Sequence, residues 1–161
     1  MAREYIIGAG VTTVANTQVA LTFLNPGTTM SLEVLRAWVS QSLNATSAQQ
    51  AVKMGTQVTA FPTMVGVTPR KTKLADPVSA IVSGTGGAGT SGVNSSAIGT
   101  GAQSTIIDDA FNVLNGYIWV PTPPETHMVN ASATAGWGLY FPSAPTGLGN
   151  WSFGMVYREL G

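Results

Sequence analysis

Large apolar residues stand at every second position in several segments of this chain, and this two-residue period constrains the fold more than any other feature. It is plainest in residues 150–160, where the bulky side chains are Trp151, Phe153, Met155 and Tyr157. Successive side chains of a β-strand point to opposite faces of the sheet, so the pattern predicts a strand with one face in a core.

The same period recurs along the chain and predicts strands over Gln18–Phe23, Met30–Ser40, Gln50–Thr59, Thr63–Val67, Gly116–Val120, Thr126–Ala131, Gly136–Phe141 and Asn150–Leu160. Turns rich in proline and glycine separate them. Residues 30–40 also have a helical repeat in Leu32, Leu35 and Val39, but the neighbouring strands favour a strand. Met30, Leu32, Val34 and Trp38 are expected to share its buried face, on which Arg36 is the exception. We therefore predict an all-β, antiparallel β-sandwich of jelly-roll type, in one domain of residues 1–161.

The segment 83–104 stands apart because it consists almost entirely of Gly, Ser, Thr and Ala. Such a stretch offers little apolar surface to offset the entropy lost on ordering it. We expect an extended Gly/Ser-rich loop outside the core. The residues after it, 108–114, are interpreted as a short helical turn with Asp108 as its cap.

Charge is unusually scarce in this chain. Charged residues make up 9% of the sequence, and 7 basic residues balance 7 acidic ones, whereas about a quarter of a typical soluble protein is charged. A surface of this kind gives copies little electrostatic reason to stay apart, and it has the composition of an interface centre. The alternative is a neutral monomer, but the composition favours a protein that assembles with other proteins.

The same composition argues against several other partners. Arg70, Lys71 and Lys73 form the densest basic group, which is too small to neutralise many phosphates, so we expect no nucleic acid. No apolar run approaches the roughly 20 residues of a membrane span, and residues 1–8 lack the apolar core of a secretory signal. We therefore expect no membrane contact and synthesis in the cytoplasm.

The sequence contains few patterns that are typical of a catalytic, nucleotide-binding or metal-binding site. Without cysteine, and with His127 as its one histidine, the chain cannot offer thiol catalysis or a Cys/His zinc site. Gly8 and Gly10 imitate a dinucleotide fingerprint, but Thr13 replaces its third small residue and a turn is the simpler interpretation. Asp108, Asp109 and Glu125 are a remote calcium alternative. We expect no enzyme, no cofactor and no metal.

Two features are candidates for partner contact. Arg70, Lys71 and Lys73 lie between prolines, which predicts an ordered surface loop, and a merely solvated turn is the alternative. Trp137 lies between two glycines and is the candidate for an exposed aromatic ring, unless it packs over those glycines. Trp119 and Trp151 are expected in the core.

Four stretches of the sequence together resemble a known kind of protein: MAREYIIGAG, SLEVLRAWVSQS followed by TSAQQAVKMGTQVTAFPT, DDAFNVLNGYIWVPTPPE, and SFGMVYREL. They are similar to small virion proteins of tailed bacteriophages, namely jelly-roll or related β-sandwich head proteins of the decoration (cement) type. The resemblance extends over most of the chain through its general character.

This resemblance implies a homotrimer on the outer surface of the virion, bound to the major capsid protein and stabilising the shell. The alternative is a phage tail or fibre module that recognises host glycan. Exposed aromatic residues in a concave surface would favour the alternative, whereas a flat, uncharged surface would favour the decoration role.

Overall fold

The computed structural model describes residues 3–14, 20–42, 46–57, 63–95, 97, 103–143, 145 and 149–161. In chain order its strands are β1 (Arg3–Val14), β2 (Ala20–Leu24), β3 (Ser31–Ser42), β4 (Gln49–Gln57), β5 (Val65–Gly66), β6 (Arg70–Lys71), β7 (Val82–Ser83), β8 (Thr90–Ser95), β9 (Gln103–Asn112), β10 (Tyr117–Trp119), β11 (His127–Val129), β12 (Gly136–Tyr140) and β13 (Gly149–Leu160). These described segments contain no helix long and apolar enough to cross a membrane.

The strands form two sheets that pack face to face as a β-sandwich, which confirms the predicted fold class. The first sheet has the order β10-β3-β13-β1-β6, and β11 also pairs with β3. The second has the order β5-β8-β2-β12-β4-β9, and β7 joins β8 in a parallel pair. The jelly-roll topology remains a prediction.

Each of the eight predicted strands has a counterpart in the structure. Those that begin at Met30, Gln50, Thr63, Gly116, Thr126, Gly136 and Asn150 correspond to β3, β4, β5, β10, β11, β12 and β13. The strand predicted over Gln18–Phe23 corresponds to β2, but its first two residues lie outside the described ranges, as do Val58 and Thr59 at the end of another prediction. Alternation of large apolar residues therefore located these strands, although burial itself alternates in only some of them, such as β4, while every residue of β12 is buried.

β13 lies at the centre of the first sheet, between β1 and β3. Its alternate large side chains are fully buried, as the period predicts. Trp151 meets the second sheet through two edge-to-face contacts, with ring centroids 5.1 Å from Phe141 and 6.4 Å from Phe111. Aromatic pairs of this geometry stabilise a core beyond the area they bury.

β3 contains a β-bulge that changes which residues face inward. Arg36 pairs with Val156, whereas Val34 pairs with Tyr157, so Leu35 is an extra residue. A bulge of one residue reverses the alternation beyond it. Val34 is buried on one side of the bulge, and beyond it the buried residues are Ala37 and Val39. Arg36 therefore faces solvent, and the expectation that Trp38 shares the buried face is wrong.

The outward face of the first sheet carries two ordered contacts. The Trp38 ring lies close over Gly154, and the Arg36 guanidinium is 5.5 Å from the centre of that ring. In a neighbouring row, Arg158 donates to Glu4 at 2.8 Å and to Glu33 at 2.9 Å, which ties β13 to both of its partners. The carboxylates on either side raise the pKa of Arg158 further above its ordinary value.

The prediction of one loop over 83–104 is wrong at its centre. Residues 90–95 form β8, paired between β2 and β5, and Ser91, Val93 and Ser95 are buried. A Cβ on Gly92 would lie 2.7 Å from the Cβ of Met64, so the covering chain passes at a distance that only glycine permits. Residues 84–89 do form turns, and 96 and 98–102 lie outside the described ranges.

Asn25 fixes the glycine-rich turns to the rest of the sandwich. Its Oδ1 accepts the backbone N–H of Gly89 at 2.7 Å and that of Gly27 at 2.8 Å, and its Nδ2 donates to the carbonyl of Ala135. Its own backbone N–H donates to Thr90 at 3.0 Å. Backbone hydrogen bonds therefore order a segment whose side chains provide little apolar surface.

Two local interpretations are also wrong. The segment that begins at Asp108 is not a helical turn but part of β9, where Asp108 pairs with Lys53 across to β4 at 2.7 Å. Gly8 and Gly10 do not form a turn either, because they lie within β1, whose register shifts between Ala9 and Thr12. In both cases pairing with a neighbouring strand overrides the local signal.

Gly154→Ala tests the close packing over β13. An added Cβ would lie 2.5 Å from the Ile7 carbonyl oxygen and 2.5 Å from Cζ2 of Trp38. We expect the substitution to lower the free energy of unfolding by about 1–3 kcal/mol, the usual cost of overpacking. The measurement is urea unfolding followed by tryptophan fluorescence. Gly10→Ala is the control because nothing lies within 4 Å of its Cβ position; equal effects of the two changes would contradict the packing argument.

Candidate functional site

The exposed apolar side chains are concentrated on the two lateral edges of the sandwich. The groove edge consists of β10, β11 and β9 with the turns beside them, and the basic edge consists of β6, β5 and β7 with residues 72–81. Of the ten large hydrophobic side chains that are exposed in the described residues, nine lie here. Five are on the groove edge: Ile106, Leu114, Ile118, Val120 and Met128. Four are on the basic edge: Val65, Leu74, Val78 and Val82.

A groove of about 280 Å³ opens between the sheets on the groove edge. It is lined by Ile106 and Ile107 of β9, Trp119 of β10, His127 of β11, and Pro121 and Glu125 of the connection between them. The lining is mostly apolar, with one carboxylate and one imidazole. This is the composition of a site that binds through apolar contact and a few placed polar groups.

Strand pairing explains why two aromatic rings meet in this groove. Trp119 pairs with Ala37 and His127 with Val34, and both of these β3 residues are buried. Both rings therefore point between the sheets. They stack at 5.4 Å between centroids and 15° between planes, and Trp119 also stacks on Trp137 at 5.9 Å and 29°. Burial lowers the pKa of His127.

Trp137, the candidate for an exposed ring, is not exposed. It is fully buried on β12 and points into the core. The glycines beside it, Gly136 and Gly138, are covered by the ring of Phe23 on the opposite face of the sheet. Trp119 is the tryptophan at the groove, and sequence reasoning placed it in the core. The available signal was its closeness in sequence to His127 across a proline-rich turn.

Arg70, Lys71 and Lys73 are exposed together on the basic edge, as predicted. The first two form β6, an edge strand on β1, so the segment is only in part the loop expected there. Thr72 donates to the carbonyl of Glu4 from both its N–H and its hydroxyl, at 3.1 and 3.0 Å. Within the described part of the chain, none of the three cations forms an ion pair.

A partly buried hydrogen-bond network fixes residues 77–81 of the basic edge to β1 and β13. The Ser79 hydroxyl donates to Glu159 at 2.5 Å and accepts from the Tyr157 hydroxyl at 2.7 Å, while the N–H of Ala80 donates to the same carboxylate at 3.0 Å. Tyr5 donates to the Pro77 carbonyl at 3.1 Å. Burial raises the pKa of both tyrosines. The exposed residues of this edge therefore stand on a fixed backbone.

Among the described residues, no three His, Asp or Glu side chains lie close enough together to hold a metal ion, so Asp108, Asp109 and Glu125 do not form the calcium site considered for them. The arrangement on the two edges suits association with another molecule. Comparison of the chain with protein-family models, with curated proteins and with solved structures finds no match.

The partly buried imidazole at the groove predicts a pH-dependent stability. Because the folded state lowers the pKa of His127, the unfolded chain takes up the proton first. The stabilisation due to the neutral imidazole is therefore complete above the unfolded pKa of about 6.5 and is lost as the pH falls below it. We expect His127→Phe, which keeps a ring on Trp119, to weaken this dependence.

The measurement is the free energy of unfolding in urea between about pH 7.5 and pH 5.5, a range above the ordinary pKa of carboxyl groups. The native protein should lose more stability over this range than the His127→Phe variant. Parallel pH profiles for the two proteins would contradict the assignment.

Proposed function

We propose that this protein is a structural component of a virus particle, a decoration protein that binds the outer surface of a capsid as an oligomer. The observation that carries the proposal is the grouping of nine exposed hydrophobic side chains on two opposite edges of one sandwich. Exposed apolar patches on a folded protein mark interaction sites. In a chain with 9% charged residues, little electrostatic repulsion opposes such contacts.

The partners in this proposal are further copies of the chain and the major capsid protein, and the place is the surface of the virion. A homotrimer is the expected oligomer. Binding at many equivalent positions of a shell adds weak contacts together, so modest affinity at each site gives stable attachment. The role is mechanical, and the proposal includes no catalytic step, cofactor or nucleic acid.

A second candidate function, recognition of a glycan by a module of a phage tail or fibre, is favoured by the groove itself. Trp119, His127 and Glu125 combine aromatic rings with a carboxylate in a concave surface, which is how many small polar ligands are held. Titration with saccharides, followed by tryptophan fluorescence, tests it. A saturable change that His127→Ala abolishes would favour this candidate over decoration.

The decoration role is tested on particles of the virus that encodes the chain. Particles made without this protein should assemble, but their shells should open at a lower temperature than complete ones, because the cementing contacts are missing. Adding the purified protein should restore both its presence on the shell, seen by electron microscopy, and the original opening temperature. Native particles that do not contain the protein, or shells whose opening temperature is the same without it, would contradict the proposal.

A further inference from the structure

We infer that copies of this chain join edge to edge in a closed ring, in which Leu74 of each copy inserts into the groove of Ile106, Trp119 and Pro121 on the next. This deepens the proposed function and rests on it for its setting, because it names the contact through which the oligomer forms. Four observations on the described residues support it: an exposed apolar side chain (the knob), an apolar groove, charges of opposite sign beside each, and the matching positions of the two edges along the strand direction.

Leu74 is the knob. Its exposed fraction is 95%, the largest of any bulky hydrophobic residue described. The turn that presents it is anchored on one side, where Thr72 is bonded to the Glu4 carbonyl, and it is closed by the N–H of Asp76, which donates to the Lys73 carbonyl at 3.1 Å. A side chain held in this way loses little backbone freedom on docking. Moving a leucine from water into an apolar site is favourable.

The groove on the opposite edge is the complementary surface. Its volume of about 280 Å³ is ample for a leucine side chain together with part of its turn. The walls are the aliphatic side chains of β9 and the ring of Trp119, and this ring is held in place by its stacking on His127 and Trp137. A firm apolar hole of this kind receives a knob with little rearrangement.

The knob and the groove lie near charges of opposite sign. Arg70, Lys71 and Lys73 come just before Leu74 in the chain, and Glu125 and Asp109 lie at the groove edge; none of these five forms an ion pair within the described residues. Docking the basic edge of one copy on the groove edge of the next brings these groups together. Complementary charges of this kind set orientation and suppress wrong pairings.

The two edges also lie at the same height along the strand direction of the first sheet. One row of paired residues crosses the whole first sheet: His127, Val34, Tyr157, Tyr5 and Lys71. The groove is at one end of this row and the basic strand is at the other, about four strand spacings or roughly 19 Å away. Neighbouring copies can therefore dock without a large step along the strands, and a head-to-tail contact of this kind forms a ring when the rotation from one copy to the next closes.

A twofold dimer is disfavoured by the same features. Twofold symmetry at the basic edge places that edge against itself, so three cations of one copy would face three of the other. The basic edge has a groove of its own, of about 390 Å³ beside Val78 and Val82, so charge and not the lack of a hole disfavours this arrangement. Contact between unlike edges brings opposite charges together instead. The smallest ring that unlike edges can close is a trimer, which is the oligomer expected for a decoration protein.

Sedimentation of the purified protein at micromolar concentration tests the inference. We expect the native chain to sediment as a ring of three, Leu74→Asp to sediment as a monomer, and 0.5 M salt (about a 4 Å Debye length) to weaken the ring. The matched control is Val11→Asp, since Val11 is also exposed, at 63%, but lies on neither edge; it should remain a ring. A monomeric native chain, or a ring unaffected by Leu74→Asp, would overturn the inference.

Disulfide trapping identifies the contact itself, and it is clean because the chain has no cysteine. Under mild oxidation a mixture of Leu74→Cys and Ile106→Cys proteins should form a crosslinked pair, and neither variant alone should do so. The double variant should give covalent species that end at three copies. Crosslinks of Leu74→Cys with itself would indicate a twofold dimer and overturn the ring.

These results are separable from the proposed function. A ring that forms in solution but is absent from virus particles would keep the inference and reject the decoration role. Saccharide binding in the groove without any effect of Leu74→Asp on assembly would reject the knob and favour the glycan module.

Discussion

Burial of one face of β13 is the constraint on which the rest of the structure depends. This strand is paired on both sides, so its large alternate side chains must be accommodated by the facing sheet, and they fix the distance and alignment of the two layers. The same face continues beyond the core, where Tyr157 and Glu159 hold the chain that leads to β7. On the other face, Arg158 joins both neighbouring strands. Core and basic edge are therefore positioned by one strand.

Much of the fold could be predicted from the sequence because alternation directly reflects the burial of one strand face. It failed where burial does not depend on large side chains. β8 is ordered by backbone pairing and by the amide of Asn25, and its small residues are needed because another segment crosses closely at Gly92. The bulge at Leu35 could not be predicted from the local sequence either, although a charged residue, Arg36, on the face expected to be buried was a sign of it. Composition describes side chains, and these two features depend on main-chain geometry.

The candidate surfaces could be predicted only in part, for a related reason. Prolines and charge were enough to expose Arg70, Lys71 and Lys73. Whether a tryptophan borders a groove depends instead on whether its strand lies at the edge of a sheet. That position is set by pairing with strands that are distant in sequence. β12 has a strand on each side and buries Trp137, whereas β10 has only β3 and leaves Trp119 at an opening. The exposure of Leu74 likewise follows from a turn anchored to Glu4, more than sixty residues earlier in the chain.

The row that crosses the first sheet from His127 to Lys71 has a consequence for the shape of any assembly built from its ends. Its basic end depends on only two paired positions, Tyr5 with Lys71 and Ile6 with Arg70. A slip of two residues there would keep every side chain on its own face but displace the edge by about 7 Å along the strands. Each added copy would then rise by that step, and the same contact would build an open helical filament with a pitch. In such an assembly, closure into a finite object would depend on the register of β6, a strand of two residues.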